Sequence, residues 1–260
     1  MTSEEKVQIA SQLERLGVDI IEAGFPAASQ GEIEAIQAIS RRVKKSIVCG
    51  LSRMMKKDID AAREALQYAK KKRIHVFLAT SKIHRQFKLK KNKKQLLTIV
   101  DEHIRYAKQY FKDIEFSPED ASRTEPEFLV DIIRVAIKAG ATAINIPDTV
   151  GYTVPHEFGK LIKFLVRRIA PLGNRVALCV HCHNDLGLAV ANSLSAICNG
   201  ANQVECTING IGERAGNAAM EEIVMALHTR KDEFDAYTTI KLREITKTSR
   251  LISSITGMHV

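Results

Sequence analysis

No stretch of this 260-residue sequence approaches the ~18 consecutive apolar residues that a membrane span requires. Its first residues, Met1 to Glu5, are polar and acidic, unlike a signal peptide. Glycine and proline number only 14 and 6, so collagen-like and low-complexity classes are excluded. Tryptophan is absent, and no zinc-finger, helix-turn-helix or aromatic-basic motif is present. Cysteine occurs five times, an odd count scattered along the chain, which argues for reduced thiols and a cytoplasmic setting. An organellar chain that has shed a targeting peptide would read the same way. With 45% hydrophobic and 27% charged residues, what remains is an ordinary globular protein with ample chain to bury a core.

The formal net charge is +9. Much of the excess sits where Lys82, Arg85, Lys88, Lys90, Lys91, Lys93 and Lys94 fall close together. Without an accompanying recognition motif, this stretch reads as a solvated basic loop entering a helix, and neither a nucleic-acid nor a membrane partner is expected.

Seven short β-rich runs recur, each followed by a helical pattern: Val18–Gly24, Ser46–Leu51, Ile74–Ala79, Ile114–Ser117, Ala143–Ile146, Val176–His181 and Val204–Ile208. The helical segments are Glu32–Val43, Lys57–Lys70, Lys94–Phe111, Glu125–Lys138, Pro155–Arg168, Leu186–Cys198 and Ala218–Arg230. Gly17, Gly140 and Gly200 each precede the next strand, as helix stops do. Strict alternation of β and α predicts a parallel sheet, either open or closed into a barrel.

Parity favours the barrel. Residues two apart on a strand share a face. One row collects Glu22, His75, Glu115, Ser117, Glu119, Asn145, Thr149, His181, His183, Glu205, Thr207 and Asn209; the opposite row is apolar, with Ile114, Phe116, Ile144, Ile146, Leu178 and Val180. An open sheet covered by helices on both faces has little use for one polar row, whereas a barrel directs that row at its axis and crowds site residues at the C-terminal strand ends. The expected fold is therefore an α/β, TIM (β/α)8-type barrel. Thr2-Ser3-Glu4-Glu5 resembles a capping box for a helix through Leu16, the helix that would follow a first strand not present in the sequence. Residues 1–237 are assigned to this incomplete barrel. Residues 238–260 are assigned to the start of a helical segment beyond it.

His181-Cys182-His183-Asn184-Asp185 lies at a strand end, with two imidazoles at i and i+2 able to ligate one divalent ion. The glycine-rich turn from Thr207 to Asn217 can bring Asn217, an oxygen donor, beside them. Such a mixed set suits Mn2+, Mg2+ or Zn2+. Cys179 and Cys182 form a C-x-x-C, but positions three apart on a strand face opposite sides, so both read as packing residues. Ser117 and Glu119 sit on the polar row at a strand end, where a carboxylate can act as a base or serve as a salt-bridged acid. Thr149 offers a hydroxyl to a substrate carboxylate.

Taken together, Ile21–Pro26, Glu115–Asp120, Asn145–Tyr152, His181–Asp185 and Asn209–Asn217 resemble the 2-isopropylmalate synthase family, whose wider group includes homocitrate and citramalate synthases. The resemblance implies an acyltransferase in which a barrel-bound divalent metal, Mn2+, Mg2+ or Zn2+, chelates a 2-oxo acid. Acetyl-CoA would be condensed with 3-methyl-2-oxobutanoate in leucine biosynthesis, by a homodimer. Carried over by motif, His181, His183 and Asn217 would be metal-site residues, and His75 and Thr149 would contact the oxo acid. Ser117 would lie near the reacting atoms, Glu119 would be the base, and Glu22 would support the site from behind. The Lys82–Lys94 stretch would attract CoA phosphates. Two departures stand out. The family's opening Arg-Asp-Gly-Glu-Gln-like motif, which supplies a metal-binding Asp and a catalytic Arg, is absent, as is the region after the barrel that contributes a His and, in long members, a leucine-sensing domain. A fragment with weak metal binding and little turnover is expected. A homocitrate or citramalate synthase, or a non-catalytic remnant that joins another subunit, are the competing expectations.

Overall fold

The computed structural model describes residues 1–170 and 176–258. Among the described residues seven parallel strands follow one another in chain order: β1 (Ile20–Glu22), β2 (Ile47–Arg53), β3 (Lys72–Ala79), β4 (Ile114–Glu119), β5 (Ala143–Asp148), β6 (Ala177–Cys182) and β7 (Gln203–Glu205). Between and around them run α1 (Ser3–Leu16), α2 (Gln30–Arg42), α3 (Lys56–Ala65), α4 (Lys93–Lys108), α5 (Pro126–Ala139), α6 (Pro155–Ile169), α7 (Ala189–Cys198), α8 (Met220–Thr229) and α9 (Ile245–Thr256). This is the alternation expected of a (β/α) barrel, with α1 preceding β1. No helix among the described residues is long and apolar enough to cross a membrane.

The chain forms two compact units. One comprises residues 1–76, 106–114 and 239–260; the other comprises residues 77–105 and 115–238. In the first, β1 and β2 pair in the register Ile20↔Ile47, Ile21↔Val48, Glu22↔Cys49. The Thr2 side chain accepts from the Glu5 amide at 3.2 Å while the Thr2 amide donates to Glu5 at 2.7 Å, the reciprocal cap that the Thr-x-x-Glu spacing predicts. Gln12 of α1 donates to Glu244 at 3.3 Å and to Thr248 of α9 at 3.1 Å. The last two residues of the tail, 259 and 260, lie outside the described set.

In the second unit, β4, β5, β6 and β7 pair in one continuous register, with Phe116↔Ile144, Ile144↔Leu178, Ile146↔Val180 and Val180↔Val204 among the partners. The apolar row predicted from parity is buried: Ile114, Phe116, Ile144, Ile146 and Val180 are wholly inaccessible. Three boundaries differ from expectation. The helix expected from Leu186 begins at Ala189, because Asn184 spends its side-chain oxygen capping the Ala189 amide at 3.1 Å. β7 stops at Glu205, since the Thr207 amide turns away to the Ala218 carbonyl at 3.0 Å. The tail helix expected from Thr238 starts at Ile245, preceded by a 3-10 turn at Leu242–Glu244.

Burial sorts the two phenylalanines that bracket this unit's opening elements. Phe116→Ala leaves a cavity in a close-packed interior and is expected to lower unfolding stability by about 3–5 kcal/mol. Phe87→Ala, at a side chain 74% exposed, should stay within about 0.5 kcal/mol in the same denaturant titration.

Candidate metal and substrate site

β6 ends in His181-Cys182 and His183 follows at once in extended pairing with Asn217, so alternation sends the two imidazoles to one side while Cys182 points into the core. The Nε2 atoms of His181 and His183 lie 2.8 Å apart. Burial pushes the Cys182 thiol up to about 12, which keeps it protonated and fits its reading as a packing residue. Among the described residues no two cysteines are joined in a disulfide.

Register then supplies the neighbours. His181 pairs with Glu205 across β6 and β7, and its Nδ1 lies 3.3 Å from Glu205 Oε2. Asn145 of β5 donates from Nδ2 to Ser117 Oγ of β4 at 2.9 Å and to Glu205 Oε2 at 3.1 Å. Glu205 and Asn145 lie on the polar row, and Asn145 opens one of the family-like motifs, but neither has a role assigned from sequence; their place beside His181 and Ser117 comes from strand pairing. Thr149 Oγ1 accepts the Asp120 amide at 2.9 Å, leaving its hydroxyl hydrogen free to donate.

The turn after β7 folds back on the end of β6. Asn217 bridges His183 in antiparallel fashion, the Asn217 amide reaches the Gly210 carbonyl at 2.9 Å, and the Asn184 amide reaches the Gly216 carbonyl at 2.9 Å. Glycine is required where the turn closes: a Cβ at Gly212 would sit 2.5 Å from the Asn217 amide oxygen. The opposite wall is Gly151, at φ +58, whose Cβ would lie 2.4 Å from Asp185 Oδ2. Arg214, also left-handed at φ +53, donates from Nε and Nη2 to Asp185 at 2.6 and 2.8 Å, from Nη2 to His183 Nδ1 at 2.8 Å and to the Thr149 carbonyl at 2.9 Å. Sequence reasoning included Arg214 in a motif without giving it a role, because its approach to His183 depends on the loop's return path.

Arg214 only donates, so His183 Nδ1 accepts and the ring hydrogen resides on Nε2, facing His181. Burial, then the neighbouring His181 and Arg214, lower the His183 pKa to about 4. Three polar atoms here are buried without a hydrogen-bond partner: Asn217 Oδ1, His181 Nδ1 and Asn145 Oδ1. An orphaned amide oxygen on the residue that bridges His183, together with the two imidazoles, is a donor set suited to a divalent cation. The 2.8 Å between ring nitrogens is near the ~3 Å that adjacent ligands at ~2.1 Å would span.

Glu119, at the end of β4, is an ion-paired carboxylate: Lys88 Nζ reaches its two oxygens at 2.7 and 3.1 Å, and His84 Nε2 lies 3.9 Å away. In the first unit, His75 and Glu22 pair with each other, Nδ1 to Oε2 at 2.7 Å, an interaction that orients the ring.

The depressed His183 pKa has a stability consequence. The unfolded imidazole protonates near its ordinary 6.5 while the folded one resists until about 4, so the unfolded state binds more protons across that interval. Stability contributed by His183 should be complete above pH 6.5 and fall as pH drops toward 4. Histidine side-chain NMR should find this ring neutral at pH 5; titration near 6.5 would contradict the geometry.

A family model described as HMGL-like matches residues 1–252. The 2-isopropylmalate synthase of Methylacidiphilum infernorum is 59% identical over 262 residues, covering 100% of this chain and 52% of that protein. The 2-isopropylmalate synthase of Pyrococcus furiosus is 56% identical over 260 residues, with coverage of 100% and 52%. The chain thus spans about half the length of the curated relatives it matches. Among solved structures, the HMG-CoA lyase of Bacillus subtilis aligns with a TM-score of 0.82 at 22% identity, covering 100% of this chain and 89% of that one. The carboxyl transferase domain of Rhizobium etli pyruvate carboxylase aligns with a TM-score of 0.74 at 15% identity, covering 98% and 44%. At such identities the likeness concerns the fold. The family match runs from the first residue to the middle of α9 and takes in every motif of the site: this chain belongs to the HMGL-like family.

Proposed function

We propose that this chain carries the barrel portion of a divalent-metal-dependent acyltransferase that condenses acetyl-CoA with 3-methyl-2-oxobutanoate to 2-isopropylmalate, a step of leucine biosynthesis. The observation that carries the reading is 59% identity, across 100% of the chain, to a protein named 2-isopropylmalate synthase. The site geometry supports the chemistry. Overall, a proton leaves the acetyl methyl group, the resulting carbon forms a bond to the keto carbon, and water cleaves the thioester to a carboxylate and the CoA thiol.

His181, His183 and Asn217 would hold the cation, with Mn2+, Mg2+ and Zn2+ all compatible with two nitrogens and an oxygen. When bound, it supplies polarisation of the keto group and stabilisation of the alkoxide that develops there. For His183 to ligate through Nε2, its hydrogen must shift to Nδ1 and the Arg214 Nη2 contact must release. That release is tolerable because Nη2 already divides two hydrogens among three acceptors, and Asp185 retains the guanidinium through Nε. Thr149, its acceptor side taken by the Asp120 amide, would donate to the oxo-acid carboxylate. Glu119 would receive the methyl proton, with Lys88 holding the carboxylate in place. Ser117, fixed by Asn145, would lie near the reacting atoms.

In calorimetric titration with Mn2+, His181→Ala and His183→Ala should each weaken binding by about 10-fold or more. Unchanged affinity in both would remove the metal site. Acetyl-CoA supplied with a panel of 2-oxo acids, with and without Mn2+, should release CoA thiol fastest with 3-methyl-2-oxobutanoate and only with the metal. Preference for 2-oxoglutarate or pyruvate would reassign the substrate. No release with any oxo acid, together with no metal-dependent oxo-acid binding, would instead support a non-catalytic role beside another subunit.

A further inference from the structure

After β3 the chain enters a π-helical segment, His84–Leu89, whose first residue meets the end of β4. The Thr80 amide donates to the Glu119 carbonyl at 3.0 Å and ties the two strand ends together. His84 Nδ1 then lies 3.1 Å from Asp120 Oδ2 and 2.8 Å from Ser81 Oγ, while its Nε2 lies 3.9 Å from Glu119 Oε1. One imidazole thus stands between two carboxylates and turns a different ring nitrogen to each.

Asp120 fixes the ring. Asp120 and Ser81 are both buried, and the Asp120 backbone adopts the left-handed region at φ +64. Burial opposes the Asp120 charge, yet Arg123, donating at 2.8 and 3.1 Å, and Ser81 hold the carboxyl below the usual carboxylate range. An ionised carboxylate only accepts, so the hydrogen of the neutral ring belongs on Nδ1 and Nε2 keeps its lone pair on the Glu119 side. Lys88, which grips Glu119 at 2.7 Å, is an ammonium without a lone pair and cannot take a proton from it. His84 Nε2 can.

We infer that His84 is a positioning residue that takes up, at Nε2, the proton Glu119 receives in the condensation proposed above, the reading on which this inference rests. The acetyl C–H bond breaks with its electron pair left on carbon, and the proton joins a Glu119 oxygen. That O–H bond then breaks as an N–H bond forms at His84, and Glu119 is again a carboxylate. Nothing is oxidised or reduced. The imidazolium so formed lies between the Asp120 and Glu119 carboxylates, and its side chain, 22% exposed, gives the proton up to solvent. Closing the 3.9 Å gap to hydrogen-bond length requires a swing of about 1 Å in one side chain.

Two measurements on the whole chain test this. In nitrogen-15 NMR with labelled histidine, the His84 signals, identified by their loss in His84→Asn, should place the hydrogen on Nδ1. A hydrogen on Nε2 would overturn the inference without any turnover being needed. In deuterium oxide with acetyl-CoA, Mn2+ and 3-methyl-2-oxobutanoate, mass spectrometry follows deuterium entering the acetyl methyl group while CoA thiol release is recorded. His84→Asn keeps an amide able to donate to Asp120 but has no basic nitrogen, and it should slow both readouts by about 10-fold or more. His84→Ala should be as slow, and added imidazole should restore it about 5-fold or more, whereas pyrazole, a ring of the same size and far weaker basicity, should not. A ring that served only to pack and brace Asp120 would give near-normal rates in His84→Asn and equal effects of the two azoles; either result overturns the inference and leaves the reaction standing. Neither exchange nor thiol release in the wild type would remove the reaction and the proton transfer together.

Discussion

Parallel strand register governs the chemistry of this protein. Each step along β6 brings a side chain level with one on β5 and one on β7, so His181 meets Glu205 of β7 and Pro147 of β5 as a matter of backbone hydrogen bonding. A slip of one residue would exchange every side chain between the apolar and polar rows. The buried row resists that slip, because moving Ile144, Ile146 and Val180 to the polar side would expose them to the site and bury imidazoles and carboxylates under helices. The site is thus stabilised by residues that take no part in it.

Electrostatics divides the polar row into groups with different duties. His183 is buried beside another imidazole and a guanidinium, all of which disfavour a proton, and it therefore remains a neutral donor of lone pairs. Asp185 takes up the Arg214 charge, so the guanidinium can approach His183 without remaining unpaired. On the neighbouring β4 end, Glu119 has a lysine of its own. The basic segment that supplies this lysine also carries exposed Lys82, Lys90 and Lys91.

Much of this could be read from residues alone. The i, i+2 histidines stood out because their spacing gives them one direction on a strand, and the parity of Ile144, Asn145 and Ile146 separated core from site. Other features stayed hidden for identifiable reasons. Glu205 and Asn145 belong to the site through cross-strand pairing, which involves residues 60 apart in the chain. Arg214 reaches His183 only because the glycine-bearing turn reverses direction. The Lys88–Glu119 pair spans two strand ends and depends on the π-helical path between them. Within the segment assigned beyond the barrel, the contact of α9 with Gln12 of α1 likewise joins residues remote in the chain.

Alternation, helix caps and glycine stops are local properties, dictated within a few residues by sterics and backbone hydrogen bonding, and they were sufficient to determine the strand–helix order, the buried row and the direction of His181 and His183. Which polar residues become neighbours, which charges neutralise one another and where cations are left over were decided by the tertiary structure. Those outcomes depend on distances between residues remote in sequence, and only strand register and loop return paths determine such distances.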